Sequence, residues 1–415
     1  MIDLLKLSSL LLCILLPEST FCAVKRCPPD PDENRSTIEL IESRGFRSEV
    51  HTVIAKDNFM LIVHRIVNPL CQDKRKPPVL LQHGILSSSA DWVINSPDGG
   101  LNDGPNVNDS GNNLGFLLSK ACYDVWMSNS RGNIYSSRHR HINVKSSDFW
   151  KFSFDEMAEY DQPAFIDYIL NATGFDHLSY VGHSQGTTQM FALLSNSTEY
   201  SAKIKPFIAL APVAMLGNTK SELLRAATEV PFLDYYLHEH PGPFIISDHD
   251  IHLLSKLFCR HELDVICLNF IFLLSGYDEP MINRTRLQVY YQHTPAGTSN
   301  WAILHYLQLV KSKKFSKMDF GKETNLIKYG QEIPPVYPLE KITNKHIALI
   351  YGLGDWLSDP KDVRLLKNSL KVPLIDDYAL PFPKWNHVDF LWAKSAGEYV
   401  NKRILGILSK YWPSN

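Results

Sequence analysis

Tyr180-Val181-Gly182-His183-Ser184-Gln185-Gly186 decides how the rest of this chain is read. Leu178 to Val181 is an apolar, strand-like approach, and Thr187 to Leu194, free of glycine and proline, reads as a helix. A serine between two such elements, flanked by glycines in a G-x-S-x-G pattern, sits on a tight strand-to-helix bend. The glycines let neighbouring backbone approach, and the helix directs its unpaired first-turn N–H groups toward the serine. The pattern is weak by itself, so its weight depends on what surrounds it.

Outward from the motif, short apolar runs read as buried strands: Val79 to Gln82, Val125 to Met127, Phe207 to Leu210 and Ile347 to Tyr351. Helix-like segments such as Phe154 to Leu170 lie between some of them, and Phe390 to Ser409 reads as a final helix. Buried strands alternating with amphipathic helices predict a doubly wound, mostly parallel sheet covered on both faces, an α/β fold. Val50 to Val53 and Phe59 to Val67, around Lys56-Asp57-Asn58, predict an antiparallel lead-in hairpin. The alternation stops between Ala214 and Pro338 and resumes at Ile347. The chain is therefore divided into 1–22, a leader; 23–213, the first part of the core; 214–338, an inserted helical cap; and 339–415, the rest of the core. Within the cap, Ile266 to Leu274 is strongly apolar and reads as a buried or lid helix; Pro97 to Asn113 reads as an exposed loop.

A serine hydroxyl becomes a competent nucleophile when a histidine takes its proton and a carboxylate orients that histidine. On a doubly wound sheet the order is Ser, Asp, His, each on a loop beyond a strand's C-terminal end. Gly352-Leu353-Gly354-Asp355 leaves the Ile347 strand, which makes Asp355 the orienting acid. Asp359, before Pro360, suits a helix N-cap better. His387, in Trp385-Asn386-His387-Val388-Asp389, stands in the required chain order among 16 histidines and is the candidate base. His183 is set aside, because adjacent side chains on such a turn diverge. For the developing oxyanion, Gln185 supplies one backbone N–H; Leu81-Gln82-His83-Gly84-Ile85-Leu86 supplies the other through Ile85, with Leu86 as a substitute.

At 415 residues and a net charge of −2, the chain can bury a large core and has no basic field for nucleic acid. Lys6 followed by the apolar Leu7 to Leu16 and small residues to Ala23 reads as a secretory signal peptide, cleaved after Cys22 or Ala23. That run is too short for a membrane anchor, which needs about 20 apolar residues. Acceptor sequons at Asn34, Asn108, Asn171, Asn196 and Asn283 fit the same route. Beyond the leader, Cys27, Cys71, Cys122, Cys259 and Cys267 remain. Cys259 and Cys267 are expected to bridge across a short loop, and Cys122 to be a small buried core residue.

With these residues in hand, the chain resembles the animal acid lipase family, which contains gastric and lysosomal acid lipases, from about Ser36 to its end. The likeness is carried by Leu81-Gln82-His83-Gly84, Asn129-Ser130-Arg131-Gly132-Asn133, Phe152 to Met157, Gly182 to Thr187, Pro295 to Ser299, Asp355 to Pro360 and Asn386 to Phe390. Asn129 to Asn133 and Phe152 to Met157 read as scaffold. The resemblance implies an α/β-hydrolase core with an inserted helical cap and lid. It also implies the Ser184, Asp355, His387 triad, the Ile85 and Gln185 oxyanion pair, and hydrolysis of triacylglycerols or cholesteryl esters at a lipid–water interface. No cofactor, metal or integral membrane segment is implied, and the destination is outside the cell or the lysosome. The chain departs from the family in having Ser275 where members commonly carry cysteine, and in a longer 97–113 loop. A carboxylesterase for small soluble esters and a non-catalytic lipid carrier are the competing readings. Chain-length preference and covalent labelling of Ser184 separate them.

Overall fold

The computed structural model describes residues 30–71, 77–97, 111–244, 264–278 and 280–412. The leader, Asn108 and Cys259 lie outside these residues, as do most of the 97–113 loop, residues 245–263 of the cap and the side chain of Cys267. Met1–Pro31 and Asp32–Asn415 are separate units, and only residues 30 and 31 of the first are described.

Among the described residues, nine strands form one sheet: β1 (Arg47–Ile54), β2 (Phe59–Val67), β3 (Pro78–Gln82), β4 (Asp124–Ser128), β5 (Arg138–His139), β6 (Leu178–His183), β7 (Ile204–Leu210), β8 (Ile347–Tyr351) and β9 (Leu374–Ala379). The order is β1-β2-β4-β3-β6-β7-β8-β9, with β5 beside β2. β1 and β2 are the expected antiparallel hairpin, and pairing from β4 through β9 is parallel. Every residue of β3, β4 and β6 is buried, which is why these strands read as unbroken apolar runs.

Side chains alternate between two cores. Val79, Leu81, Val125, Met127, Val181, Ile208 and Ile350 enter one; Leu80, Trp126, Tyr180, Phe207 and Leu349 enter the other. This is the period-2 geometry of a strand, and each such side chain contributes about 1.5–3 kcal/mol by leaving water.

The chain runs outward from β3 to β4, then returns past β3 to β6. The C-terminal ends of β3 and β6 therefore lie side by side where strand order reverses, the position at which open α/β sheets hold their ligands. Between β7 and β8, the described residues form helices such as Glu222–Glu229, Asp264–Ser275 and Asn300–Ser312 and no strand of the sheet. Leu237, Leu304, Leu307, Met318 and Phe320 make a small separate core there, whereas Ile282, Leu287 and Tyr290 join a core of the sheet.

Two expectations are corrected. Cys122 is not a free core thiol: it is half-buried and bridged to Cys71, their Cα atoms 5.6 Å apart. The final helix is not continuous. A short helix, Asp389–Trp392, ends at the extended Ala393, and Lys402–Tyr411 follows a π-turn at Gly397–Asn401. Ala393 is drawn out of the helix by pairing with Ile282 of the insertion.

Candidate active site

β6 leads into Ser184, whose φ of 52° and ψ of −117° are foreign to strand and helix alike, and helix Gln185–Asn196 begins at the next residue. Such a backbone is costly for a non-glycine residue and persists where its surroundings hold it. They do so here. Ser184 N–H donates to Leu210 O (3.1 Å), and Ser184 O accepts from Thr187 N (2.8 Å). A Cβ on Gly186 would stand 2.5 Å from Gln82 O, and one on Gly182 would stand 2.8 Å from Gly186 C. Both motif glycines are thus required by close backbone approach.

Asp355 follows β8 and His387 follows β9. His387 Nε2 lies 2.7 Å from Ser184 Oγ, and its Nδ1 lies 2.8 and 3.0 Å from the two oxygens of Asp355. All three residues are buried. Asp355 Oδ1 also accepts Leu357 N–H (2.9 Å) and Ser358 N–H (2.7 Å), which fixes the carboxylate before it meets the imidazole. An acceptor at Nδ1 keeps the proton there and leaves Nε2 unprotonated toward the serine, the arrangement a general base needs. Asp359 instead caps helix Pro360–Ser369, accepting Lys361 N–H at 2.8 Å.

Ile85 and Leu86 form the turn after β3, which passes directly over the serine. A Cβ on Gly84 would be 3.2 Å from Ser184 Cβ and 3.6 Å from its Oγ. Leu86 has a φ of 60°, and its carbonyl accepts from Ala296 N (2.6 Å) of the insertion. Gln185 N–H is in the first turn of its helix, where no intrahelical acceptor exists.

Two histidines that sequence reasoning left without a role support this geometry. Burial holds His83 near pKa 4, hence neutral, and its Nε2 accepts Ser130 N–H (3.0 Å). Its proton is therefore on Nδ1 and donates to Gly84 O (2.7 Å). Because the peptide is planar and trans, fixing Gly84 C=O turns the Ile85 N–H the opposite way. His183 is pushed to about pKa 3, first by burial and then by the neighbouring His387. Its Nε2 is 2.9 Å from the His387 carbonyl and ties the nucleophile turn to the base loop. The visible signal was adjacency alone: each precedes a residue already singled out.

The neighbouring motif segments are structural. Arg131 is buried over Phe59, 4.0 Å from the ring centroid, and pairs with Asp161 (2.6 Å) and Asp57 (2.7 Å). Among the described residues no cluster of three or more metal-ligating side chains occurs, and no helix is long and apolar enough to cross a membrane. Of the described sequons, Asn34, Asn171 and Asn196 are exposed and Asn283 is half-buried.

A doubly wound sheet that carries a strained serine at a strand-to-helix turn, linked to a histidine and a carboxylate beyond later strands, defines the α/β-hydrolase class. Comparison with known proteins agrees: the alpha/beta hydrolase fold model matches residues 77–394, and that of the partial alpha/beta-hydrolase lipase region matches residues 37–96. The chain is 39% identical to gastric triacylglycerol lipase of Bos taurus over 403 residues (94% of this chain, 96% of that one). It is 37% identical to human lysosomal acid lipase/cholesteryl ester hydrolase over 389 residues (92% of each). A crystal structure from Sulfolobus solfataricus shares the fold at 13% identity, with a TM-score of 0.58 over 88% of this chain and 95% of that one. The chain belongs to the family of gastric and lysosomal acid lipases and is a carboxylic ester hydrolase.

Proposed function

We propose that this protein is a lipase that cleaves neutral lipid esters, triacylglycerols or cholesteryl esters, through an acyl-enzyme formed on Ser184. Ser184 Oγ attacks the ester carbonyl while His387 Nε2 takes its proton, and Asp355 stabilises the imidazolium. The negative charge developing on the carbonyl oxygen is met by the N–H groups of Ile85 and Gln185, each worth about 3–4 kcal/mol of barrier in comparable sites. His387 then protonates the departing alcohol, and water, deprotonated by the same imidazole, releases the fatty acid.

The observation that carries this reading is the bond chain from Ser184 Oγ through His387 to Asp355, at 2.7 and 2.8 Å. Contact with a lipid surface is supported by apolar side chains standing in solvent on the insertion: Phe232 (83% exposed), Tyr235 (67%) and, beside the base loop, Tyr277 (50%). The Cys71–Cys122 bridge and the relatives named above support passage through the oxidising secretory pathway to the exterior or the lysosome. The insertion is read as a cap over 214–338.

Purified protein assayed on emulsified triolein, a cholesteryl ester and a short soluble ester, together with organophosphonate trapping, tests the proposal. Turnover of the long-chain substrates and a single adduct at Ser184 are expected. Activity confined to the short ester would favour a carboxylesterase, and an unlabelled Ser184 would remove the enzyme mechanism.

A further inference from the structure

The loops holding Asp355 and His387 meet on one backbone turn of the insertion. Ser275 ends helix Asp264–Ser275, and its carbonyl accepts from Trp356 N (3.1 Å) and from His387 N (3.3 Å). A single oxygen, using both its lone pairs, therefore joins the residue after the acid to the base itself. The Ser275 hydroxyl turns back to Ile271 O (2.7 Å) and leaves that carbonyl to the loops.

The next residue, Gly276, has a φ of 111°, and a Cβ on it would collide with the carbonyl oxygen of Gly354. Its own carbonyl accepts Asn386 Nδ2 (2.9 Å). Asn386 is fully buried. Its Oδ1 accepts Val388 N (3.0 Å) and Asp389 N (3.2 Å), and its N–H donates to Asp389 Oδ2 (2.7 Å), enclosing His387 in a reciprocal cap. On the far side of the acid loop, Trp356 O accepts Lys220 N (2.8 Å) and Thr219 Oγ1 (2.7 Å). Two segments of the insertion thus grip Trp356, the residue beside Asp355. The sheet alone gives these loops less support, since β9, which leads to His387, is a partly exposed edge strand.

We propose that the Ser275–Gly276 turn is a positioning element for the reaction, setting the separation of Asp355 and His387, and that Asn386 is the side chain that transmits it. The inference rests on the relay described above and assigns its alignment to the insertion. The insertion then governs the chemistry of Ser184 even toward a substrate that needs no lipid surface.

The test uses the full-length protein with a soluble butyrate ester and a chromogenic phosphonate that titrates Ser184, so that rates are counted per reactive site. Asn386→Ser keeps a capping oxygen but cannot reach Gly276 O; Gly276→Ala forces the turn away from Gly354. Each should lower kcat by roughly ten- to a hundredfold, the range for a misplacement of about 1 Å. KM should stay within about twofold, because no substrate contact changes. Phosphonate labelling should slow in parallel. A purely structural defect would reduce the number of titratable sites and leave kcat per site in place. If Gly276→Ala yields little folded protein, Asn386→Ser, a smaller side chain, decides the matter. Wild-type labelling rates together with a wild-type kcat per titrated site would overturn the inference. A wild-type protein that is never labelled at Ser184 would overturn the relay, and this inference with it.

Discussion

Replacing Asp355 by asparagine exchanges one carboxylate oxygen for an NH2 group and should abolish turnover for a reason legible in the hydrogen bonds. Asp355 Oδ1 receives Leu357 N–H and Ser358 N–H at 2.9 and 2.7 Å, and neither donor can be left unpaired in a buried loop without cost. The amide oxygen of the substituted side chain is therefore committed to that position, and its NH2 group must face His387 Nδ1. Donor would meet donor unless His387 moves its proton to Nε2. That tautomer presents an N–H to Ser184 Oγ, 2.7 Å away, where a base is needed. In a serine protease the same exchange costs about 10⁴ in kcat, equivalent to roughly 5.5 kcal/mol of barrier. A loss of that order is expected here, with KM and thermal midpoint nearly unchanged. Steady-state hydrolysis of a soluble ester, with folded protein quantified by circular dichroism, is the assay. Asp359→Asn provides the contrast: it keeps an oxygen to cap Lys361 N–H and should stay within about twofold of wild type. An Asp355→Asn protein that retains a tenth of wild-type kcat, or an Asp359→Asn protein that loses a thousandfold, would refute the reasoning.

Three further outcomes are expected. Cys71→Ala should lower stability by about 4 kcal/mol, the chain-entropy value for the 51-residue separation of the bridge; denaturant unfolding showing no loss would contradict it. Burial raises Asp91 to about pKa 6 against the hydroxyls of Ser87 and Thr294. A folded-state pKa above the unfolded value means that the folded protein holds this proton more tightly, so its contribution is present at low pH and lost as pH rises through 6. Relative to Asp91→Asn, the wild type should lose about 3 kcal/mol between roughly pH 3 and pH 7, and a difference constant across that window would dismiss the assignment. Expression in a glycosylating host should place glycans on exposed Asn34, Asn171 and Asn196 but not on Asn283, whose amide donates to Asn95 O (3.3 Å) and accepts from Thr285 Oγ1 (2.8 Å). Site mapping by mass spectrometry that finds Asn283 occupied would show that this bond does not protect it.

The central strands and the serine, aspartate and histidine were legible because the physics there is local. β3, β4 and β6 are buried on both faces, so apolar runs betray them, and the serine's turn demands glycines at fixed spacing. β9 escaped notice because Leu374–Ala379 carries Asp376 and Asp377 and is partly exposed at the sheet's edge. Asp376 is held by Arg403 of the last helix at 2.6 Å, a pairing no local pattern announces. Phe390 to Ser409 looked continuous because nothing local marks Ala393 as a break; its pairing with Ile282 does. The Cys71–Cys122 pairing was equally invisible, since spacing cannot choose partners among five thiols. The supports of the site lay furthest from view. His83, His183 and Asn386 each act through a backbone carbonyl whose position only the folded chain defines.

The grip of Thr219, Lys220, Ser275 and Gly276 on the acid and base loops bears on attempts to alter specificity by exchanging insertions among relatives. A graft joined at the ends of β7 and β8 would import a foreign clamp together with the foreign binding surface, and its reactivity would drift for reasons unrelated to what it binds. Chimeras that retain residues 219–221 and 273–276 from the recipient, and trade only the sequence between and beyond them, would keep selectivity and rate separable.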